Sequence, residues 1–297
     1  MSDYDARFGL YGITIQSKRT NWTLHIVLFF LTVATTTIAG ATIFVDKPFE
    51  GWLLFILRGF YFSGPLMSIL LVHEMGHYFT GRRRRLDVTP PYFIPAIPPV
   101  GTFGAFIKIR SAITNLKVLV EIGASGPVAG AVLAIPLLYI GLCLSEIRPE
   151  TTATGAGFSF GSSLILELLC LIRFGELDSA SIVLHPTAVA AWFGLFVTAM
   201  NLLPIGQLDG GHVVYALLGA RRARQISFGA FACLIPMGIL LWQGWLVFAI
   251  LVLFLGLRHP APFDGYTPLD RNGKILGWTA VILFILTFIP IPISVIE

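Results

Sequence analysis

Long uncharged runs, separated by short charged segments, dominate the chain. A helix of about twenty apolar residues is long enough to cross the hydrocarbon core of a bilayer. The pattern predicts an all-α polytopic membrane protein with about six to seven transmembrane helices. The predicted spans are residues 26–45, 59–81, 122–144, 187–220, 225–257 and 275–296. The run 225–257 is too long for one upright span, and residues 242–245 mark a turn that would divide it into two helices.

The segment between the second and third spans has a different pattern. Residues 89–99 contain five prolines, which cannot continue a helix. Residues 102–110 then alternate, with Phe103, Ala105, Ile107 and Ile109 on one face, which is typical of a strand or hairpin. We therefore predict a short re-entrant β-hairpin or loop here. A further segment, 158–174, is apolar but short and contains two charged residues, so we expect an interfacial or re-entrant helix.

Composition and charge agree with a membrane protein. The chain is 56% hydrophobic and 12% charged, against about 25% charged in soluble domains. Clusters of arginine directly follow apolar runs. We therefore interpret these clusters as signals that keep their segments on the cytoplasmic side, and not as a nucleic-acid-binding surface. This rule puts the following residues on the cytoplasmic side: Lys18, Arg19, residues 82–85, Arg221, Arg222, Arg224, Arg258, Arg271 and Lys274. We expect a multi-pass protein of the cell (inner) membrane, with the lipid bilayer as a partner and no nucleic acid.

The second span carries a candidate metal site. His73 and His77 are four residues apart, so on a helix they lie on one face, one turn from each other. In this spacing both imidazoles can reach one zinc ion, while Glu74 holds a water molecule beside it. Ionisable residues inside a span are costly unless they are paired or functional. The alternative is a pair of interior histidines beside a protonated Glu74.

A catalytic zinc ion usually takes three protein ligands. Glu121 is one candidate for the third, but it lies at the aqueous start of the third span. Asp209 is the stronger candidate, because it is the only carboxylate in the apolar run 187–220. The residues around it, 201–211, would break a helix at membrane depth. Irregular backbone at that depth is tolerated only where it lines a cavity or is buried in protein. A helix N-cap is the alternative role for Asp209.

These motifs together resemble one family. HExxH in one span, followed in a later span by N-x-x-P-x-x-x-L-D-G, is similar to the site-2 protease family of intramembrane zinc metalloproteases. The resemblance implies that His73, His77 and Asp209 bind one Zn²⁺ per chain, that Glu74 is the general base and that Asn201 steadies the substrate or the oxyanion. It also implies an active site within the membrane, towards the cytoplasmic side. Neither a PDZ nor a CBS domain is visible in the sequence.

The expected function is therefore intramembrane proteolysis. We expect one membrane-embedded peptidase domain over 1–297, with a catalytic core at about 59–220 and additional transmembrane helices over 221–297. Substrates would be single-span membrane proteins or peptides, such as anti-sigma factors or signal-peptide remnants. The strand residues Thr102, Phe103, Gly104, Ala105 and Phe106 would hold an unwound substrate segment by edge pairing, although a plain cytosolic loop is an equal alternative.

Two other functions remain open at this point. One is a membrane zinc protease of another family, acting in an aqueous chamber. The other is a metal transporter or inactive scaffold on the same fold. Transport predicts further polar residues in other spans, and the first and third spans offer almost none.

Overall fold

Helices account for most of the structure, a computed structural model that describes residues 20–43, 49–149, 157–175 and 180–296. The described residues form eight α-helices. They are α1 (Trp22–Ile43), α2 (Trp52–Arg83), α3 (Leu116–Cys143), α4 (Leu164–Phe174), α5 (Pro186–Asn201), α6 (Asp209–Leu240), α7 (Gly244–Leu255) and α8 (Arg271–Thr287). Lys18, Arg19 and the predicted end of the first span at Val45 lie outside the described residues.

Four of these helices (α1, α2, α3 and α6) are long and apolar enough to cross a membrane, judged by length and composition. The structure is thus mostly helical with several candidate membrane spans, as the hydrophobic pattern predicts. The turn predicted within 242–245 is also present, because α6 ends at Leu240 and α7 begins at Gly244.

The predicted span 187–220 differs from the structure. The chain forms two helices here, α5 and α6, and the intervening residues 202–208 are not helical. The helical segment that begins at Asp209 is interrupted at Gly219, and a second segment carries Arg221, Arg222 and Arg224. Gly219 has φ 79° and ψ 167°, a left-handed conformation that kinks α6 just before the arginines. The predicted end of this span, Ala220, therefore adjoins a break in the helix.

In the part of the chain that the structure describes, six short strands pair into three two-stranded antiparallel sheets. The strands β1 (Tyr92–Pro95) and β2 (Thr102–Phe106) form the hairpin predicted between the second and third spans. The strand β3 (Glu146–Pro149) pairs with β5 (Ala180–Val183), and β4 (Gly157–Phe160) pairs with β6 (Ile293–Ile296). The apolar segment predicted as a helix over 158–174 is therefore divided into a strand and the short helix α4.

The β1–β2 hairpin packs along α1. Near the start of that helix, Nδ1–H of His25 donates to the carbonyl of Pro91 at 2.9 Å. Further along, the hydroxyl of Thr35 donates to the carbonyl of Gly101 at 2.7 Å. Ten helical residues separate these contacts, a rise of about 15 Å. The hairpin therefore extends from near the first turn of α1 to about the middle of that helix.

Helices α2, α3 and α5 form the centre of the bundle. Their largest fully buried side chains include Phe62, Leu66, Leu138 and Trp192, which belong to one apolar cluster. The indole N–H of Trp192 donates to the carbonyl of Gly161 at 2.8 Å, so its one polar atom is satisfied. This packing fixes the relative positions of the helices that carry the polar residues described next.

The ends of the helices are joined by polar contacts on two sides. Where α2 ends and α3 begins, the Arg84 guanidinium donates to both carboxylate oxygens of Glu121. Nearby, Lys117 donates to Asp270, the N-cap of α8, at 2.6 Å. At the other end, the Thr187 hydroxyl donates to the Tyr61 carbonyl at 3.0 Å. The end of α2 and the starts of α3 and α8 therefore lie together.

Candidate metal centre

Two histidines and one carboxylate from distant parts of the chain meet in the interior. His73 and His77 lie one turn apart on α2 with their ring centroids 5.0 Å apart, and both are buried. Asp209 is the first residue of α6. Its Oδ2 lies 3.2 Å from Nε2 of His77 and 3.5 Å from Nε2 of His73. The structure thus brings together the three residues that the sequence proposed as ligands.

The position of Asp209 argues against the capping role considered from the sequence. The N-cap of α6 is Leu208, and no side chain caps this helix end. The Asp209 carboxylate instead points towards the two imidazoles. The other candidate ligand, Glu121, is engaged by Arg84 and is not part of the cluster.

The hydrogen bond made by Nδ1 of His77 leaves its Nε2 free to bind a metal. Nδ1–H of His77 donates to the carbonyl of Ile122 at 2.8 Å. In a neutral ring this leaves a lone pair on Nε2, facing the Asp209 carboxylate oxygen. Two acceptors facing each other at this distance repel, and a cation between them removes the repulsion. Fixing the tautomer through a backbone carbonyl is a common feature of metal-binding histidines.

The distances also fit a zinc ion. With bonds of roughly 2.0–2.1 Å in a tetrahedral arrangement, neighbouring ligand atoms are roughly 3.4 Å apart. The two histidine–aspartate distances, 3.2 and 3.5 Å, lie close to this value. All three ligand atoms lie within 4.8 Å of one another. His73, His77 and Asp209 therefore form a candidate zinc site of two nitrogens and one oxygen.

Helix α3 leaves room for the histidines through its glycines. An ideal Cβ on Gly126 would lie 2.0 Å from Nε2 of His77 and 2.4 Å from its Cδ2. On Gly130 it would lie 3.2 Å from Cβ of His73. The spacing of these two glycines in the sequence suggests close helix packing. The structure adds that Gly126 keeps a side chain out of the position of the candidate ligand nitrogen.

We expect Gly126→Ala to disrupt the site. The added methyl would overlap the His77 ring, so either the ring or α3 must move. Overpacking of this kind costs about 1–3 kcal/mol, and we expect bound zinc to fall as well. Zinc content and the midpoint of thermal unfolding measure both effects. Gly229→Ala is the matched control, because its Cβ would meet nothing within 4 Å. Equal zinc content in the two variants would contradict the packing argument.

Glu74 and Asn201 lie beside the three ligands. Both line a cavity of about 190 Å³ together with the two histidines and Asp209. Glu74 is buried, and its carboxyl group interacts with the backbone of Ile107, just after β2. Asn201 ends α5 and places Nδ2 3.5 Å from Nε2 of His73. A potential base and a potential amide donor therefore share one cavity with the ligands.

Part of the predicted substrate strand also reaches this cavity. Ala105 and Phe106 line it, whereas Thr102, Phe103 and Gly104 do not. Phe103, expected on the same face as Ala105, Ile107 and Ile109, is 80% exposed. Gly104 explains the difference, because its φ of 94° interrupts the alternation of the strand. The hairpin thus contacts the cavity through its end nearest α2.

A pair of histidines that was not predicted from the sequence adjoins the metal site. His212 lines the cavity, and its Nδ1–H donates to Nε2 of His259 at 2.5 Å. His259 donates its own Nδ1–H to the Pro260 carbonyl, and its ring lies 4.6 Å from that of Tyr215. Burial lowers the pKa of His259, so the ring is neutral near pH 7 and able to accept from His212. The two histidines are 47 residues apart in the sequence, so no local motif could indicate this pair.

A polytopic helical fold with a buried His–His–Asp centre defines the chain as a membrane metalloprotein. Comparison with known sequences gives the family: residues 61–243 match the model of Peptidase family M50. The chain therefore belongs to peptidase family M50, the site-2 protease family of zinc metalloproteases, as the motifs suggested.

Similar curated proteins come from plants. The chain is 31% identical over 234 residues to "Probable zinc metalloprotease EGY1, chloroplastic" of Arabidopsis thaliana, covering 76% of this chain and 42% of that protein. It is 28% identical over 236 residues to "Probable zinc metalloprotease EGY2, chloroplastic" of the same plant, covering 78% and 42%. The chain thus spans about two fifths of the length of these relatives. No solved structure gives a significant match.

Proposed function

We propose that this protein is a zinc-dependent endopeptidase that hydrolyses peptide bonds in transmembrane segments of its substrates. The observation that carries the proposal is one cavity holding His73, His77 and Asp209 at zinc-ligand distances, with Glu74 beside them. Membership of family M50 supports it independently.

Each side chain in the cavity has a role in this reaction. A zinc ion held by the three ligands would activate a water molecule and polarise the scissile carbonyl. Glu74 accepts the proton of the attacking water and passes it to the leaving amine, so the carboxylate is restored when the C–N bond breaks. Asn201 donates its amide N–H to the oxygen that gains negative charge.

The substrate has to be extended at the scissile bond, because a helical segment shields its own peptide groups. We propose that β2, residues Thr102, Phe103, Gly104, Ala105 and Phe106, pairs with the extended segment along its free edge. Among the described residues β2 pairs with β1 alone, so its second edge is available. Ala105 and Phe106 place the end of this edge at the cavity.

Cross-linking tests this role of the hairpin. In a Glu74→Gln background, a cysteine at Phe106 should cross-link to cysteines near the scissile bond of a bound substrate, preferentially at alternate positions. A cysteine at Ile97 is the matched control, since Ile97 is exposed on the same hairpin but lies in the connection between its strands. Equal cross-linking from both positions, or none from Phe106, would argue against strand pairing.

We further propose six to seven crossings of the cell membrane in a single domain, 1–297, with a catalytic core at about 59–220 and the active site towards the cytoplasm. Two observations support the orientation. His77 lies six residues before Arg83 at the end of α2, a rise of about 9 Å. That end lies with the starts of α3 and α8, where half of the predicted cytoplasmic charges are found: residues 82–85, Arg271 and Lys274. Labelling by an impermeant maleimide should reach a cysteine at Arg258 from the cytoplasmic side only.

Mapping the cleavage site tests the function directly. We propose single-span membrane proteins as substrates, such as anti-sigma factors or signal-peptide remnants. The purified chain in detergent should cut such a protein within its apolar segment, as located by mass spectrometry. A zinc chelator should abolish cleavage and added zinc should restore it. Cleavage confined to the extramembrane part would favour a protease with an aqueous chamber instead.

A further inference from the structure

A second cavity lies near the metal centre and is not part of it. Its volume is about 250 Å³, and its walls come from α6, the loop before α6 and the segment after α7. Arg224, Arg258, His259 and Tyr215 contribute its large polar side chains. Three small residues of the loop and of the start of α6, Pro204, Gly206 and Gly211, also line it.

The charge of this cavity is unbalanced. Arg224 and Arg258 come from different elements, and within the described residues neither forms an ion pair. Among the described residues, no carboxylate lines the cavity. Two cations at one cavity repel each other, and a bound anion would remove that cost. Arg224 also lies over the ring of Phe228, 5.8 Å from its centroid, although Phe228 does not line the cavity.

Two of the other polar side chains of the cavity, Ser227 and His259, already have partners. The Ser227 hydroxyl accepts from the Gly206 N–H and donates to the Leu257 carbonyl, both at 2.9 Å. His259 is held by His212 and Pro260. The arginines therefore supply the donors for a ligand. A guanidinium presents paired N–H groups that match two oxygens of a phosphate.

The kink of α6 adds a further favourable feature. Because Gly219 interrupts the helix, a new helical segment begins at Ala220, and its first turn, with Ala220 and Ala223, lines the cavity. The N-terminal turn of a helical segment carries partial positive charge, which stabilises an anion. The cavity thus combines two guanidinium groups and one helix start.

We propose that this cavity binds a phosphate group, either of an anionic lipid headgroup or of a soluble phosphate. A bound phosphate would bridge α6 to the segment after α7. It would thereby brace the loop that precedes Asp209, because the same cavity wall includes Gly206 and Gly211. Binding does not depend on proteolysis, so it is tested without a substrate.

Thermal unfolding of the full chain in nanodiscs tests the site. One arm adds inorganic phosphate to phosphatidylcholine nanodiscs at constant ionic strength, and the other replaces part of the lipid with phosphatidylglycerol. We expect at least one arm to raise the midpoint, and the responding arm identifies the source of the phosphate. Arg224→Gln and Arg258→Gln should each weaken the response, by roughly tenfold or more in apparent Kd, since each removes a charge-assisted hydrogen bond.

Arg222→Gln is the matched control. Arg222 is exposed, as Arg224 and Arg258 are, and it lies two residues from Arg224. Its replacement removes the same charge, but it does not line the cavity. Its response should equal that of the wild type. An equal loss in Arg222→Gln and Arg224→Gln would mean diffuse attraction to a basic surface and would overturn the proposal, as would the absence of any shift in both arms. Arg258→Gln keeps the test valid if Arg224→Gln does not fold.

Discussion

Glu74→Gln should abolish peptide hydrolysis while zinc stays bound. The substitution keeps the size of the side chain but removes the carboxylate that accepts the proton of the attacking water. General acid–base groups contribute about 100- to 10,000-fold to the rate, so we expect a loss of that order. Glu74 is buried in the cavity beside the three ligands but is not one of them. Initial rates on one single-span substrate, with zinc content measured on the same samples, give both quantities.

The fold of this variant also has to be checked. Wild type and Glu74→Gln should unfold at similar temperatures, because the amide fills the same space. A variant that cleaves at the wild-type rate with zinc bound would remove Glu74 from the mechanism. A variant that loses its zinc would instead make Glu74 part of the metal site.

Asp209→Ala should empty the metal site. Its Oδ2 is the one oxygen among the three candidate ligand atoms, and it carries the negative charge that faces the two imidazoles. We expect zinc affinity to fall by roughly 100-fold or more, beyond the loss typical of residues that only support a ligand. Activity should be lost in parallel. Zinc bound per chain after dialysis against a weak chelator measures the effect.

Glu121→Ala is the control for this prediction. Glu121 is the other carboxylate that the sequence offered as a ligand, and it pairs with Arg84 at the ends of α2 and α3. Because that pair is partly exposed, its loss should cost little stability and no zinc. Zinc retained in Asp209→Ala but lost in Glu121→Ala would reverse the assignment.

The sequence predicted the metal site because its signals are local or chemically unusual. His73 and His77 are one helical turn apart, so their spacing alone puts them on one face. Asp209 is conspicuous as a single carboxylate in a long apolar run. The hairpin was also predictable, since prolines followed by alternating residues exclude a helix and favour a strand.

Other features depend on contacts between distant parts of the chain. The pairing of β4 with β6 joins Gly157 to Ile296, and neither strand has a pattern that specifies its partner. The His212–His259 bond links α6 to a segment that follows α7. The break in α6, by contrast, lies where the apolar run 187–220 was predicted to end, just before the arginines. In this chain the left-handed conformation of Gly219 accommodates the kink.

An anomalous difference map at the zinc absorption edge, from crystals of the zinc-loaded protein, would locate the metal. We expect one strong peak per chain, at roughly 2.0–2.2 Å from Nε2 of His73, Nε2 of His77 and Oδ2 of Asp209. A peak at any other set of ligands, or no peak in a preparation that cleaves its substrate, would contradict this expectation.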